Sequence, residues 1–168
     1  MIRKAISDDA GRMADIQING WRNAYRGIVS DDILFAKLNI EKKTTALKKR
    51  IEEGVEEWYV YEDSGIVKGI LLIGQSRDED MHDAFEMWCV YVDHFMLREG
   101  IGSKLLAFCE SEALERGFKR LVLWVLEKNN IGKDFYYKNG FSVEGKSQVL
   151  DNLKATEIRL VKQLEAVC

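Results

Sequence analysis

The spacing of apolar residues is helical in the first third of the chain and strand-like after Glu57. A short strand is predicted over 1–7, where half of the residues are apolar. Helical spacing then predicts three helices before residue 54, the first capped by Asp8 or Asp9 and the second by Ser30. These helices are expected directly after the aspartates, over 31–37 and over 41–53.

Beyond Glu57 the pattern predicts strands separated by glycine-containing breaks, because β-branched and aromatic residues dominate. Asp63-Ser64-Gly65 is a hairpin signal between the first two of them. Two helices interrupt the series, each followed by a glycine that stops it. The strands are expected over 58–61, 66–73, 85–92, 119–126, 141–145 and 155–161, and the helices over 100–116 and 129–138.

This order of elements predicts an α/β protein with one mixed sheet. Three consecutive strands followed by β-α-β do not fit a repeated doubly wound sheet. The strand at 85–92, the helix at 100–116 and the strand at 119–126 form one right-handed crossover unit. With 168 residues and 46% apolar composition, the chain 1–168 is expected to be a single domain.

The composition argues against several classes of binding partner. The net charge is −3 with interleaved signs and no basic block, so nucleic acid is not expected. Apolar runs are too short to cross a bilayer, which argues against a membrane protein. The amino terminus lacks the apolar core of an export signal, which favours a cytoplasmic location.

Cysteine and histidine spacing predicts no disulfide framework and no metal site. Cys89, Cys109 and Cys168 form no CxxC pair, and the two buried in predicted elements are expected to be inert core thiols, with the third in a tail. His82 and His94 have no regularly spaced partner ligands.

The start of the helix at 100–116 carries the first functional signal, Gly100-Ile101-Gly102-Ser103-Lys104. Two glycines let the backbone approach a ligand, and the unpaired first-turn amides favour a phosphate or pyrophosphate. A dinucleotide fingerprint fails because Leu105 stands where a third glycine is needed. A P-loop fails because serine and lysine follow Gly102 in the wrong order and spacing.

The run from Val90 to Leu106 resembles the coenzyme A pyrophosphate loop of the GCN5-related N-acetyltransferases (GNAT family), written [QR]-x-x-G-x-[GA]. One departure is Leu97 at the [QR] position, with arginine one residue late. The resemblance implies a three-layer fold whose central mixed, mostly antiparallel sheet is flanked by helices. It also implies that pyrophosphate is bound by Arg98, Glu99, Gly100, Ile101, Gly102, Ser103 and Lys104.

A second block, from Asn129 to Phe141, resembles the family signature N-x-x-A-x-x-F-Y-x-x-x-G-F, with Gly132 where alanine is usual. The resemblance implies that this block contacts the cofactor. Asn129 would bond the pantetheine arm or cap the helix, and the two roles can coexist. Tyr136 would meet the cofactor sulfur or serve as a core aromatic. Phe135 would mainly pack beside the cofactor.

The resemblance further implies direct attack of an amine on acetyl-CoA, a co-substrate held by the backbone of Val90, Tyr91 and Val92 like an added strand. Tyr136 would protonate the departing thiolate. Glu86, fourteen residues before Gly100, is the candidate base, because an ammonium must lose a proton before it attacks. Its other interpretation is a salt-bridged structural glutamate. Cys89 is not expected to be a nucleophile.

Strand alternation predicts that Glu86 shares one face with three neighbours: Trp88, Val90 and Val92. The acceptor pocket is expected to be built from the N-terminal helices and the last hairpin, with Trp21, Tyr25 and Arg26 as candidate residues. Aromatic residues four apart are also typical of a core, and a solvated arginine is also common.

The sequence therefore predicts an enzyme that moves acetyl from acetyl-CoA to a primary amine of a small molecule or a peptide. Two alternatives remain open: a non-catalytic acyl-CoA-binding sensor, and a protein acetyltransferase acting on amino termini or lysines. The sequence does not decide the oligomeric state, and a homodimer is one candidate.

Overall fold

The computed structural model describes residues 1–165, so Cys168, predicted to lie in a tail, is outside the described residues. Its strands are β1 (Ile2–Lys4), β2 (Glu57–Asp63), β3 (Ile66–Gln75), β4 (Phe85–Val92), β5 (Arg120–Leu126), β6 (Ser142–Leu150) and β7 (Ala155–Gln163). Its α-helices are α1 (Ala10–Ala24), α2 (Ile40–Glu53), α3 (Ile101–Glu115) and α4 (Asn130–Lys138).

The predicted elements are all present, with small differences in their ends. The segment predicted as helical over 31–37 is a π-helical turn, Asp32–Lys37, that begins after Asp31 rather than after Ser30. Strand β6 continues to Leu150, five residues beyond its predicted end at 145. The extra residues pair with β7, and such pairing is not visible in a polar sequence.

One seven-stranded sheet has the order β1-β2-β3-β4-β5-β7-β6. All neighbouring strands are antiparallel except β4 and β5, which are parallel and joined through α3. The predicted α/β class, mixed sheet and crossover unit are therefore confirmed.

Helices cover both faces of the sheet, and each face has its own core. The larger core lies between the sheet and α3, with aromatic residues of α4 packed against it. On the opposite face, α1 and α2 pack on β2, β3 and β4. Within residues 1–165, every helix is too short or too polar to span a bilayer.

A bulge in β4 overturns one prediction about which residues share a face. In the pairing with β3, Leu72 lies opposite Cys89 and Ile73 opposite Met87, so Trp88 is an extra residue. Such a bulge reverses the alternation beyond it. Glu86 and Trp88 therefore lie on the α1 face, whereas Val90 and Val92 pack against the α3 core.

The parallel strands β4 and β5 separate soon after they begin. Their register contains two pairs, Phe85 with Leu121 and Glu86 with Val122, although each strand continues for several residues. The backbone of β4 beyond the bulge therefore has no strand partner on its β5 side within the described residues. An edge of this kind can bind an extended ligand through main-chain hydrogen bonds.

Candidate active site

The loop between β4 and α3 places free amides at the surface. Asp93 turns the chain out of β4 by accepting a hydrogen bond from the amide of Phe95 at 2.8 Å. Arg98 and Gly100 are both left-handed, with φ of 67° and 76°. The first helical bond of α3 runs from the amide of Lys104 to the carbonyl of Gly100. The three amides before it are free of helical bonds and can bind an anion.

Side chains around this loop take different directions. Ile101 is buried in the α3 core, so only its backbone faces a ligand. Ser103 and Glu99 are exposed. The ammonium of Lys104 lies 3.1 Å from the hydroxyl of Tyr61 on β2 and therefore points away from the turn. The phosphate contact expected of Lys104 stays a prediction.

Gly102 joins the two sequence blocks physically. A Cβ at this position would lie 3.5 Å from the ring of Phe135 and 3.8 Å from Val92. The phenyl ring of α4 therefore packs directly on the first turn of α3. Because of this contact, the glycine turn and the second block form one surface beside the β4 edge.

At the end of β5, Asn129 is buried and its side-chain oxygen accepts a hydrogen bond from the amide of Gly132 at 3.1 Å. The predicted capping role of Asn129 is thus confirmed. A Cβ at Gly132 would lie 2.6 Å from the asparagine amide nitrogen. The glycine that departs from the family pattern therefore makes room for the cap.

Tyr136 stands between two phenyl rings, with edge-to-face contacts to Phe135 and Phe141. Burial raises the pKa of its hydroxyl above the ordinary value, so the group is protonated at neutral pH. A protonated hydroxyl can give a proton to a thiolate, but the raised pKa makes it a weaker acid than an exposed tyrosine. Cys89 lies on β4, and burial raises the pKa of its thiol to about 12, which does not suit a nucleophile.

Glu86 is almost fully buried, with 1% of its side chain exposed, and it is bonded by a residue that the sequence did not single out. The backbone amide of Arg77 donates to Oε2 at 2.9 Å, and its guanidinium pairs with both carboxylate oxygens. The same guanidinium lies 4.5 Å from the centre of the Trp88 ring. The structure therefore shows Glu86 in a salt bridge, as the structural interpretation of this residue predicted.

On the α1 side of the sheet, Trp21 and Tyr25 form an edge-to-face pair with ring centres 5.3 Å apart. The hydroxyl of Tyr25 lies 3.1 Å from that of Tyr91 on β4. Gly20 allows this approach, because a Cβ there would lie 2.8 Å from the Tyr91 ring. Of the predicted acceptor residues, Tyr25 thus meets the central strand and Trp21 packs against Tyr25. Arg26 is exposed in the turn after α1.

Three buried polar atoms on this side lack hydrogen-bond partners within residues 1–165. They are Oε1 of Gln17 and Nε1 of Trp21 on α1, and Nε1 of Trp88 on β4. Buried polar groups are normally paired, so three unpaired atoms on one side of the sheet are unusual. Sequence reasoning missed Gln17, although it lies four residues before Trp21.

A buried arginine fixes the loop that carries Arg77. The guanidinium of Arg159 on β7 is 1% exposed and pairs with three carboxylates. Trp124 on β5 donates its indole N–H to one of them at 3.0 Å. The three carboxylates are Asp78, Asp80 and Glu144. Sequence patterns gave no signal for this network, because its members come from four separate segments.

Residues 23–141 match the acetyltransferase (GNAT) family. The chain is 27% identical over 159 residues to the uncharacterized N-acetyltransferase YuaI of Bacillus subtilis, covering 95% of this chain and 87% of that protein. It is 25% identical over 143 residues to spermidine N(1)-acetyltransferase of Thermoplasma acidophilum, covering 85% and 88%.

Solved structures show the same fold. The PaiA N-acetyltransferase of Thermoplasma acidophilum in complex with coenzyme A superposes with a TM-score of 0.75 at 21% identity, covering 97% of this chain and 98% of that one. The ribosomal-protein-alanine N-acetyltransferase of Brucella melitensis gives 0.71 at 25% identity, covering 98% and 99%.

Proposed function

The chain belongs to the acetyltransferase (GNAT) family, and from this membership we propose that it transfers acetyl from acetyl-CoA to a primary amine by direct attack. The proposal treats residues 1–168 as one acetyltransferase domain. Its acceptor is an amine of a small molecule or a peptide. The cytoplasmic location and the homodimer stay predictions.

One observation carries the proposal. The β5-side edge of β4 is unpaired beyond the bulge within residues 1–165, and the loop 93–99 joins it to the glycine turn at the start of α3. An extended pantetheine arm fits the edge, and its pyrophosphate fits the free amides of the turn. Phe135 closes the surface on the α4 side. The residues present therefore suit coenzyme A, which supplies an activated acyl group when it is bound.

The residues of the chain act on this acyl group by position and proton transfer. Backbone groups of Val90 and Val92 orient the arm, and the side-chain amide of Asn129 contacts it while it caps α4. Tyr136, protonated at neutral pH, delivers its proton to the departing sulfur. Holding both substrates side by side supplies much of the acceleration.

Glu86 stays the sequence-based candidate for the base. Its bonds to Arg77 restrict that role, since a carboxylate held on both oxygens must release a partner before it accepts a proton. A second carboxylate on the same sheet face, Glu157, is considered below.

A small amine is the favoured acceptor, because the similar Thermoplasma protein is named for spermidine. A peptide amine is the alternative, since the similar Brucella protein is named for a ribosomal protein. Trp21, Tyr25 and the unpartnered indole nitrogens support an acceptor site under α1.

The direct test follows the release of the CoA thiol from acetyl-CoA with a panel of amines: alkylamines, spermidine, amino acids and peptides. Tyr136→Phe should lower kcat roughly 100-fold, as expected for loss of one proton donor. Tyr137→Phe is the matched control, because Tyr137 is adjacent and 41% exposed, and it should keep the wild-type rate. Binding of CoA without turnover on any acceptor would instead support the sensor.

A further inference from the structure

We infer that Glu157 is the carboxylate that accepts the proton from the acceptor ammonium. The inference rests on the proposed acetyl transfer and adds a catalytic residue to it. Glu157 lies on β7, outside both sequence blocks, and its sequence context carries no catalytic signal.

Strand register gives the level of Glu157 along the sheet, although β5 lies between its strand β7 and the edge of β4. Glu86 lies opposite Val122 of β5, whereas Glu157 lies opposite Leu126, four residues further along that strand. Four strand residues span roughly 13 Å. Because Trp88 is an extra residue in β4, the same length leads from Glu86 to Tyr91, one of the residues expected to hold the pantetheine arm. Glu157 is therefore level with the β4 residues that are expected to hold the arm, and Glu86 is not.

Glu157 also faces the acceptor side of the sheet. Directly opposite residues of an antiparallel pair point to the same face. Leu126, its partner on β5, packs in the cluster that contains Trp21 and Tyr25. The carboxylate of Glu157 thus shares a face with the proposed acceptor residues, and its charge acts on the hydroxyl of Tyr25.

The two carboxylates differ in how they are held. Glu86 is paired with an arginine through both oxygens, whereas Oε1 of Glu157 accepts a 2.6 Å hydrogen bond from the neutral amide of Gln148. No ion pair to Glu157 is found within residues 1–165. Its second oxygen is available to a ligand.

Burial raises the pKa of Glu157 above the ordinary glutamate value. The groups that act on it are the neutral Gln148 on β6, the cation of Arg77, the anions of Glu86 and Asp78, and Tyr25 on α1. A raised pKa makes a carboxylate a better base near neutral pH.

One N–H bond of the ammonium breaks, its electron pair stays on nitrogen, and the proton goes to Oε2 of Glu157. The nitrogen then bonds the acyl carbon while the carbon–sulfur bond breaks, and the sulfur takes the proton of Tyr136. The second proton lost by nitrogen restores Tyr136, and the proton on Glu157 returns to solvent.

The test compares the pH dependence of kcat/KM for an alkylamine in wild type, Glu157→Gln and Glu86→Gln. Without the base, only the neutral amine reacts, and an alkylamine has a pKa of roughly 10.4. In Glu157→Gln, kcat/KM should therefore be about 100-fold lower than in wild type at pH 7. The difference should shrink as the pH approaches 10. Glu86→Gln should keep the shape of the wild-type profile.

Two controls separate catalysis from folding and binding. Glu127→Gln, at an exposed position next to Leu126, should match wild type in rate and profile. Calorimetry should show equal CoA affinity in Glu157→Gln and wild type. In ¹³C NMR, a carboxyl signal that titrates above the ordinary glutamate range should disappear in Glu157→Gln.

The outcomes separate the role of Glu157 from the proposed acetyl transfer on which it rests. A wild type that turns over, with an unchanged rate and profile in Glu157→Gln, overturns the role of Glu157 alone. A changed profile in Glu86→Gln instead assigns the base to Glu86. No turnover by wild type with any amine contradicts both proposals.

Discussion

The hydroxyls of Tyr25 and Tyr91 lie 3.1 Å apart, joining the end of α1 to the central strand β4. Burial raises the pKa of both groups, so both are protonated and one donates to the other. Gly20 lets α1 approach the Tyr91 ring closely enough for this contact. The proposed acceptor side of the site therefore contains a hydrogen bond between distant segments.

Removing one hydroxyl of this pair should show how much the hydrogen bond contributes to the free energy of unfolding. Tyr25→Phe leaves the Tyr91 hydroxyl without its partner and should lower the free energy of unfolding by about 1 kcal/mol. The KM for the amine should rise, while CoA affinity stays unchanged. A double-mutant cycle with Tyr91→Phe checks the pair by urea unfolding. Additive losses would contradict a direct interaction.

Arg98 allows the backbone and the side chain of the pyrophosphate loop to be tested separately. It is a non-glycine residue at φ 67°, a region that disfavours residues with a Cβ. Arg98→Gly should raise the free energy of unfolding by about 1 kcal/mol, whereas Arg98→Ala should not. Both variants should bind CoA more weakly, with a reduced dependence on salt. Equal affinity in wild type and both variants would restrict phosphate binding to the backbone.

Gly132→Ala should weaken CoA binding without a large change in stability. The new Cβ would collide with the side chain of Asn129 and displace the cap, which costs about 1 kcal/mol. Alanine gains a similar amount in helix propensity, so the two effects should nearly cancel. In calorimetry, Gly132→Ala should bind CoA as weakly as Asn129→Ala does.

Gly11→Ala is the matched control for this change. Gly11 lies in α1, where a Cβ would make only an ordinary contact with Thr44 at 3.9 Å. It should gain stability and keep wild-type CoA affinity. Full CoA affinity in Gly132→Ala would argue against a pantetheine contact from Asn129.

Arg159→Met should be strongly destabilising. It leaves three carboxylates around a buried position without their cation, a loss of roughly 3 kcal/mol. Arg120→Met removes a more exposed pair with Asp83 and should cost less than about 1 kcal/mol. Urea unfolding measures both, and equal losses would show that the network contributes little.

The same network predicts acid sensitivity. Hydrogen bonds from Arg159, then from Lys146, hold the pKa of Asp80 below its usual range. A carboxyl with a depressed folded pKa stabilises the fold above its unfolded pKa of about 3.9, and this contribution is lost as the pH falls further. Asp80→Asn should therefore show a shallower loss of stability below about pH 4, measured by thermal unfolding across pH. A slope equal to that of wild type would contradict this linkage.

The amino-acid sequence alone determined the elements, the crossover unit and the family motifs. These features are local: apolar spacing sets the helices and strands, and Gly100 and Gly102 mark a turn whose neighbours are adjacent in the chain. The cap made by Asn129 was also predictable, because its partner is three residues away.

Only the tertiary structure decided how the site is charged and which side chains face it. The bulge at Trp88 arises from pairing with β3, so no period within β4 reveals that Glu86 and Val90 lie on opposite faces. The pairing of Arg77 with Glu86, and the position of Glu157 on the same sheet face as Tyr25, likewise depend on strands that meet through the sheet. A sequence pattern reports neighbours along the chain, whereas these relationships are set by register between segments.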